Sequence, residues 1–301
     1  MSISTQFRKF GSHYFPTRVY DFTKLEERMA EKFKFRGDDV VVVGFPKSGI
    51  HWLLISLREM YKSDWGIYKV GDKVMEPLLE WLMWRDDVAL PGFHTECRAQ
   101  FHSRGPDAIP SPRLFRSHLP REVFPLKQVK KKGAKVIHIA RNPKDVCVSS
   151  FYYYKTFFDG EWEAPWDRLV ENDFAEGTML YGPYVTYETM WHEAGLEDNV
   201  LHIYYEDMKT NYRETLEKMA QFIGRPVTVG DIERTHSTYS SISNMKPSQI
   251  SYMPFDNQTG SFFRKGVIGN WKEKFTVAQN EQFDKDIVSE LHNNGITFRY
   301  E

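Results

Sequence analysis

The chain has 301 residues, of which 41% are hydrophobic and 27% charged, and a formal net charge of −1; these proportions fit a soluble globular protein with room for a large core. The near-zero charge argues against binding nucleic acid or an anionic membrane by bulk electrostatics, while leaving a local basic pocket open. No run of about eighteen apolar residues occurs and the N-terminus lacks a signal-like apolar core, so a cytoplasmic protein is expected, neither secreted nor membrane-spanning. Val40–Gly44 is a β-branched run that reads as a buried strand, followed by a short turn and a helix over Trp52–Tyr61. The alternation recurs as strand Arg113–Arg116 with helix Glu122–Lys131, strand Lys135–Ala140 with helix Pro143–Phe157, and strand Val200–Tyr204 with helix Tyr212–Ile223. Pro143 takes the favoured first helical position, and the run Lys130–Lys132 reads as the solvated last turn of its helix. Further helices are expected at Leu180–Ala194 and Val277–Asn293. Strands alternating with helices imply an α/β fold: a single domain on a central parallel sheet flanked by helices, with its site at the carboxyl ends of the strands. Gly92–Pro112 and Ser237–Lys265 lack clear periodicity and read as lids or binding segments rather than linkers.

The turn after the first strand reads Phe45-Pro46-Lys47-Ser48-Gly49. A strand ending in such a turn and opening a helix directs main-chain N–H groups and a lysine at one spot, which is how proteins hold phosphate. The spacing is not that of a nucleotide-triphosphatase loop, because Lys47 precedes Gly49 instead of following the second glycine. A plain strand-to-helix turn is the alternative. The second strand ends in Arg116-Ser117-His118, and Pro120 stops its continuation, so His118 falls near Lys47 if the two strands are neighbours. A histidine there suits a general base, although one of 10 histidines is more often structural. After the third strand come Arg141-Asn142-Pro143, with Ser149 about two turns along the helix; an arginine and a helix hydroxyl make a second phosphate site, or Arg141 makes a salt bridge at the helix start. The fourth strand runs into Tyr204-Tyr205-Glu206-Asp207-Met208, which alone reads as core aromatics and an acidic helix start. Arg264-Lys265-Gly266 sets two cations before a glycine, which lets the backbone approach an anion closely. No metal-ligand cluster lies near the loop, so no metal is expected. Cys97 and Cys147 read as reduced thiols. The 8 Trp, 16 Tyr and 22 Phe fit a lipophilic pocket and a generous core equally well.

Taken together, these segments resemble the cytosolic sulfotransferase family, whose members move a sulfonate group from 3′-phosphoadenosine 5′-phosphosulfate to a hydroxyl or amine of a small acceptor. The resemblance runs from about Asp38 to the C-terminus and is strongest at Phe45–Gly49, Arg113–Pro120, Arg141–Ser149, Tyr205–Met208 and Arg264–Gly266. It implies one sulfotransferase domain over residues 1–301, with an N-terminal segment to about residue 37 and a nucleotide- and acceptor-binding core over 38–301. In it, Lys47, Ser48, Gly49, Ile50 and His51 form a P-loop-like donor site, Lys47 stabilises the leaving phosphate without a metal, and His118 is the catalytic base. The product would be adenosine 3′,5′-bisphosphate. Arg141 and Ser149 would hold the 3′-phosphate, joined by Arg264, Lys265 and Gly266; Trp52 and Tyr205 would contact adenine, and Ser240 and Ile242 fall at further nucleotide positions. Arg116, Tyr153, Tyr181, Trp81 and Phe15 would join His118 around the acceptor, a phenol, alcohol, steroid or amine. Lys272, Thr276, Val277 and Glu281 stand in the spacing of the family's dimerisation motif and imply a homodimer, with a solvated helix start as the alternative.

Sulfonate transfer, like phosphoryl transfer, needs alignment and charge stabilisation more than covalent chemistry, and Lys47 with main-chain N–H groups would supply the stabilisation. Some positions depart from the family's pattern. Ile50 and His51 replace small hydroxyl residues, and His51 is expected to supply the missing contact to the 5′-phosphate. Ile242 replaces an aromatic, and Asn270 stands where aspartate usually precedes the tryptophan. Two other readings compete: a nucleotide kinase-like phosphotransferase on the same strand-loop-helix, which the Lys-before-Gly spacing opposes, and a non-catalytic nucleotide-binding relative, which the presence of both Lys47 and His118 opposes.

Overall fold

The computed structural model describes residues 7–17, 20–21, 33–62, 65–70, 73–83, 96, 98–99, 103–157, 165–240 and 265–301. The strands among them are β1 (Phe7–Phe10), β2 (His13–Pro16), β3 (Val40–Val43), β4 (Tyr68–Val70), β5 (Lys73–Met75), β6 (Leu114–Ser117), β7 (Lys135–Ala140) and β8 (Val200–Tyr204). Four of them pair in parallel in the order β6-β3-β7-β8, and β1-β2 and β4-β5 are antiparallel hairpins. This is the α/β architecture with a central parallel sheet that the alternating pattern implies.

The two-residue period of a strand explains how the sheet divides the core. Val41, Val43 and Val136 face one apolar cluster, shared with Val146, Tyr184 and Phe283; Val40, Val42, Ile137 and Ile139 face the other, shared with Trp52, Leu216 and Tyr239. Helices Pro143–Phe157 and Tyr184–Ala194 therefore lie on one face and helices Ile50–Met60, Tyr212–Ile223 and Val229–Tyr239 on the other. A parallel sheet covered on both faces reads as continuous apolar runs, which is why Val40–Val43 is buried throughout. At its start Asp39 accepts hydrogen bonds from the fully buried Arg113, whose guanidinium also lies against the rings of Phe33 and Phe115.

Strands Lys135–Ala140 and Val200–Tyr204 and helices Pro143–Phe157 and Tyr212–Ile223 have their expected limits. Other limits shift for local reasons. The first strand stops at Val43, and the helix after the loop starts at Ile50 rather than Trp52 because Gly49, with φ 103°, ends the turn there. The second strand runs over Leu114–Ser117 instead of Arg113–Arg116. The helix expected from Glu122 begins only at Leu126, after Pro125, and Glu122 instead accepts the Ser12 N–H at 3.1 Å. That expected from Leu180 begins at Tyr184, since Tyr181 has φ 62° and Pro183 precedes the first turn.

Helix Val229–Tyr239 takes in the first residues of a stretch read as aperiodic; a reciprocal capping pair between Thr228 and Asp231 starts it. Val277–Asn293 is helical as expected, but through Val277–Phe283, a π segment Asp284–Val288 and Ser289–Asn293 in succession. The β1-β2 hairpin docks on the turn before helix Tyr184–Ala194: Tyr14 N–H donates to Gly182 O at 3.0 Å and Tyr181 N–H to Tyr14 O at 2.8 Å. Cys147 is a buried free thiol; Cys97 lies outside the described residues. Among the described residues no helix is long and apolar enough to cross a membrane.

Candidate active site

Parallel pairing of β3 with β6 and β7 brings three strand ends together: the loop after Val43, Ser117-His118, and Arg141. Lys47 adopts φ 75°, a left-handed conformation that costs a side-chain-bearing residue about 1–3 kcal/mol and turns the chain back over the helix N-terminus. Its ammonium lies 4.6 Å from the centre of the Tyr153 ring. Burial first, and the Arg141 charge second, bring its pKa down to about 7. Arg141 donates weakly to Lys47 O at 3.4 Å and to Val267 O at 3.4 Å, sits 4.2 Å over the Tyr205 ring, and leaves its Nε buried without a hydrogen-bond partner. The Ser48 hydroxyl is likewise buried without a partner. Arg141 does make the salt bridge at the helix start, with Asp145 at 3.6 Å, but its unpartnered Nε and the unpartnered Ser48 hydroxyl, with the Lys47 ammonium at a helix N-terminus, still make a place that suits an anion.

Behind the loop is an aromatic shelf. A methyl group at Gly49 would lie 2.5 Å from Tyr205 Cδ2, so only glycine lets the loop approach that ring. Tyr205 packs edge-on to Trp52 at 5.5 Å, Trp52 stacks on Tyr212 at 5.3 Å, and Trp52 Nε1 donates to Tyr239 O at 2.9 Å. That last bond fixes the residue next to Ser240. On the other side, Asp145 accepts the main-chain N–H groups of Gly269 and Trp271, each at 3.0 Å, and so ties the segment after Gly266 to the start of helix Pro143–Phe157. Glu206, its carboxyl pushed up to about 7 by burial, accepts both the main-chain and side-chain N–H of Asn142 beside Arg141.

His118 lies beside the loop with its tautomer determined by its surroundings. Nδ1 is 2.8 Å from Gly44 O. A carbonyl only accepts, so Nδ1 carries the proton and Nε2 holds the free lone pair. Burial above all, with the Arg116 and Lys47 charges, lowers its pKa to about 4, so the ring is neutral at pH 7. Tyr181 covers the imidazole at 5.7 Å, Phe15 lies 5.6 Å from Tyr181, and the Tyr20 and Tyr181 hydroxyls hydrogen-bond to each other. Arg116 is buried with Nε on Glu76 O at 3.3 Å. Trp81 is fully buried next to Glu80, whose carboxylate accepts the His118 main-chain N–H.

The structure thus gathers Lys47, Ser48, Gly49, His118, Arg141, Tyr153, Trp52 and Tyr205 around one place, with Tyr181 over His118 and Phe15 packed on Tyr181. Ile50 turns its side chain into the core, leaving only its main chain for a ligand, and His51 is half-buried. Ser149 is half-buried on helix Pro143–Phe157. Lys265 is exposed, with Nζ on Glu273 at 2.6 Å and 2.7 Å. Arg264 and Ile242 lie outside the described residues. Lys272 pairs with Glu301 at 2.6 Å, Thr276 caps its helix, and Val277 is 76% exposed. Sequence reasoning missed Tyr20, Glu80, Asn142, Asp145 and Glu206. Asn142 and Asp145 carried a local signal as a polar pair flanking a helix start, and Glu206 as part of the acidic helix start after the fourth strand. Among the described residues no group of three His, Cys, Asp or Glu side chains is placed to hold a metal ion.

Comparison with known proteins gives the family and the fold. The model of the family described as "Sulfotransferase domain" matches residues 37–295. Sulfotransferase 1B1 of the dog (Canis lupus familiaris) is 31% identical over 299 residues, covering 96% of this chain and 95% of its own. Human (Homo sapiens) sulfotransferase 2A1 is 31% identical over 287 residues, covering 94% of each. The crystal structure of mouse sulfotransferase SULT7A1 complexed with PAP superposes with a TM-score of 0.73 at 27% identity, covering 97% of this chain and 96% of that one. Retinol dehydratase, in complex with androsterone and the inactive cofactor PAP, shares the fold with a TM-score of 0.76 at 18% identity, covering 96% and 90%.

Proposed function

Because the chain belongs to the sulfotransferase family and is an enzyme of sulfonate transfer, we propose that its donor is 3′-phosphoadenosine 5′-phosphosulfate and its acceptor a hydroxyl, or amine, of a small lipophilic molecule. The PAP held by the mouse relative supports that donor, PAP being what remains once the sulfonate has left. The unpartnered Ser48 hydroxyl and Arg141 Nε fit it as well. The Ser48 hydroxyl and the main-chain N–H groups from Gly49 to His51 would hold its 5′ end, with the His51 ring in place of a small hydroxyl. Arg141 and Ser149, with Arg264, Lys265 and Gly266, would hold the 3′-phosphate. Trp52 and Tyr205 would take adenine, with Ser240 and Ile242 at its margin. The family match weighs against the nucleotide-kinase alternative.

The donor supplies an activated sulfonate; the chain supplies charge, alignment and a base. Lys47 would meet the negative charge growing on the leaving phosphate, a service whose loss typically costs about 10²–10³ in rate. His118 Nε2 would take the acceptor's proton. The observation that carries this reading is the Nδ1–H bond to Gly44 O, which leaves Nε2 unprotonated beside the lysine loop. Tyr153, Tyr181, Trp81 and Phe15, to which Tyr20 is added, would surround a flat apolar acceptor such as a phenol, alcohol or steroid, with Arg116 near the reacting end. The reading also takes residues 1–301 as one domain with its core over 38–301, a cytoplasmic location, and a homodimer through Lys272, Thr276, Val277 and Glu281.

Transfer of radiolabelled sulfonate to a mixed panel of phenols, steroids, alcohols and amines, without added metal, tests the reading in wild type and His118→Ala. Transfer by wild type, lost in the variant, is expected. Tight binding of adenosine 3′,5′-bisphosphate with no transfer to any class would refute the acceptor assignment, and full activity of His118→Ala would refute the base.

A further inference from the structure

The carboxylate of Glu80 touches the segment that carries His118 yet has no part in the reaction as described above. It lies in the helical turn Leu79–Met83, is fully buried, and its Oε1 accepts the His118 main-chain N–H. The Ser117 hydroxyl also bonds to this carboxylate, and the Leu119 N–H returns to Ser117 Oγ at 3.1 Å, so one acid anchors three successive residues. Its other oxygen, Oε2, is buried without a partner. An amide would accept the same N–H without the cost of burying a charge, so folding alone does not call for an acid here.

We propose that Glu80 is a positioning residue for the transfer: its ionised carboxylate holds the His118 main chain while the Gly44 carbonyl holds the ring, and together they aim Nε2 at the acceptor. The proposal rests on reading His118 as the base. Hydrogen bonds to an ionised acceptor are roughly twice as strong as neutral ones. Protonation would weaken the bond to His118 and leave an acid O–H in a buried setting where Oε2 has no acceptor. Arg116 and His118 face the carboxylate from the end of β6, Tyr181 from the turn that receives the N-terminal hairpin, and Tyr187 from helix Tyr184–Ala194. Burial pushes the acid up to about 7, against its hydrogen bonds and Arg116, whereas His118 itself titrates at about 4. Lys47, brought down to about 7, loses activating charge as pH rises, so its limb has the opposite sign.

The test is kcat and KM for wild type, Glu80→Gln and Glu80→Leu over about pH 5 to 9. Wild-type kcat is expected to fall on the acid side with an apparent pKa near 7. In Glu80→Gln, which is isosteric and keeps an oxygen acceptor but never the charge, the plateau kcat falls part of the way towards that of Glu80→Leu and the limb moves down towards the His118 value of about 4. Glu80→Leu loses kcat by on the order of 10²-fold with KM little changed. An acid limb that stays near 7 in Glu80→Gln, while activity still depends on His118, overturns this proposal alone. No transfer by wild type, or full activity of His118→Ala, overturns the functional reading and this proposal with it.

Discussion

At Gly49 the backbone takes φ 103° immediately before the helix, and a methyl group there would meet Tyr205 Cδ2 at 2.5 Å and Cε2 at 3.1 Å. Gly49→Ala therefore carries two costs. Holding an L side chain in such a conformation costs about 1–3 kcal/mol. The contact is not relieved by swinging a loose tip, because Tyr205 is buried, backed by Trp52 at 5.5 Å and covered by Arg141 at 4.2 Å. Overpacking of that kind adds about 1–3 kcal/mol. Together they make about 2–6 kcal/mol, a large share of the ~5–15 kcal/mol that holds a domain folded. Urea unfolding reads the first consequence: with m of about 1–3 kcal/mol/M, the midpoint falls by roughly 1 M or more. Calorimetric titration with adenosine 3′,5′-bisphosphate reads the second, a loss of at least about tenfold in affinity, since displacing Tyr205 displaces Arg141 with it. A variant with wild-type midpoint and wild-type affinity would refute the reasoning, showing that the loop does not press on that ring.

Other perturbations follow from different parts of the molecule. Arg113→Met strips the buried Asp39 of its bonded cation and is expected to cost about 3–5 kcal/mol, read as a lower urea midpoint; an unchanged midpoint would contradict the pairing. His138 and His202 meet at 2.9 Å through Nδ1 atoms, and burial holds both pKa values down, His202 to about 4. The unfolded chain takes up a proton near 6.5 that folded His202 refuses until about 4, so stability is lost as pH falls between those values, by about 3 kcal/mol from His202. Thermal melts across that range should show the loss and His202→Gln should reduce it to the His138 share, whereas a wild-type Tm that does not move would count against the buried pair. Val277 leaves 76% of its surface exposed at the foot of its helix, and Val277→Glu is expected to turn the proposed dimer into a monomer by sedimentation, with transfer activity intact; a wild type already monomeric would discard the interface.

What could be read in advance was whatever local pattern controls. Strands Lys135–Ala140 and Val200–Tyr204 are short apolar runs with one interpretation, and Pro143 marks a helix start unambiguously. Where two local signals competed, the stronger backbone constraint won: Pro125 over the acidic start at Glu122, and Gly182-Pro183 over the apolar periodicity from Leu180. Helix Val229–Tyr239 was hidden by Gly230 and Thr235, weak helix formers, and by a capping pair that uses aspartate in place of glutamate. In the site, Lys47 and His118 could be joined on paper because adjacent parallel strands end side by side. Tyr20 could not be tied to Tyr181, nor Glu80 to His118, nor Asp145 to Trp271, because each pairing spans a long stretch of chain and is decided by packing rather than by spacing. Nor could the Lys265–Glu273 ion pair be read from the two cations before a glycine, since it too depends on how the segment packs.

The strand order bears on how the chain comes to be folded. Val40–Val43 is a central strand, but its neighbours on either side are Leu114–Ser117 and Lys135–Ala140, so neither edge is covered until residues far down the chain have arrived. Such a contact order makes for slow acquisition of native pairing. During synthesis, four consecutive valines wait with both edges open, a segment of high β-propensity and no charge, the kind that adheres to other chains. A fragment ending before residue 135, which leaves at least one edge open, would hence be expected to aggregate through the very strand that, once enclosed, presents Lys47 at its tip.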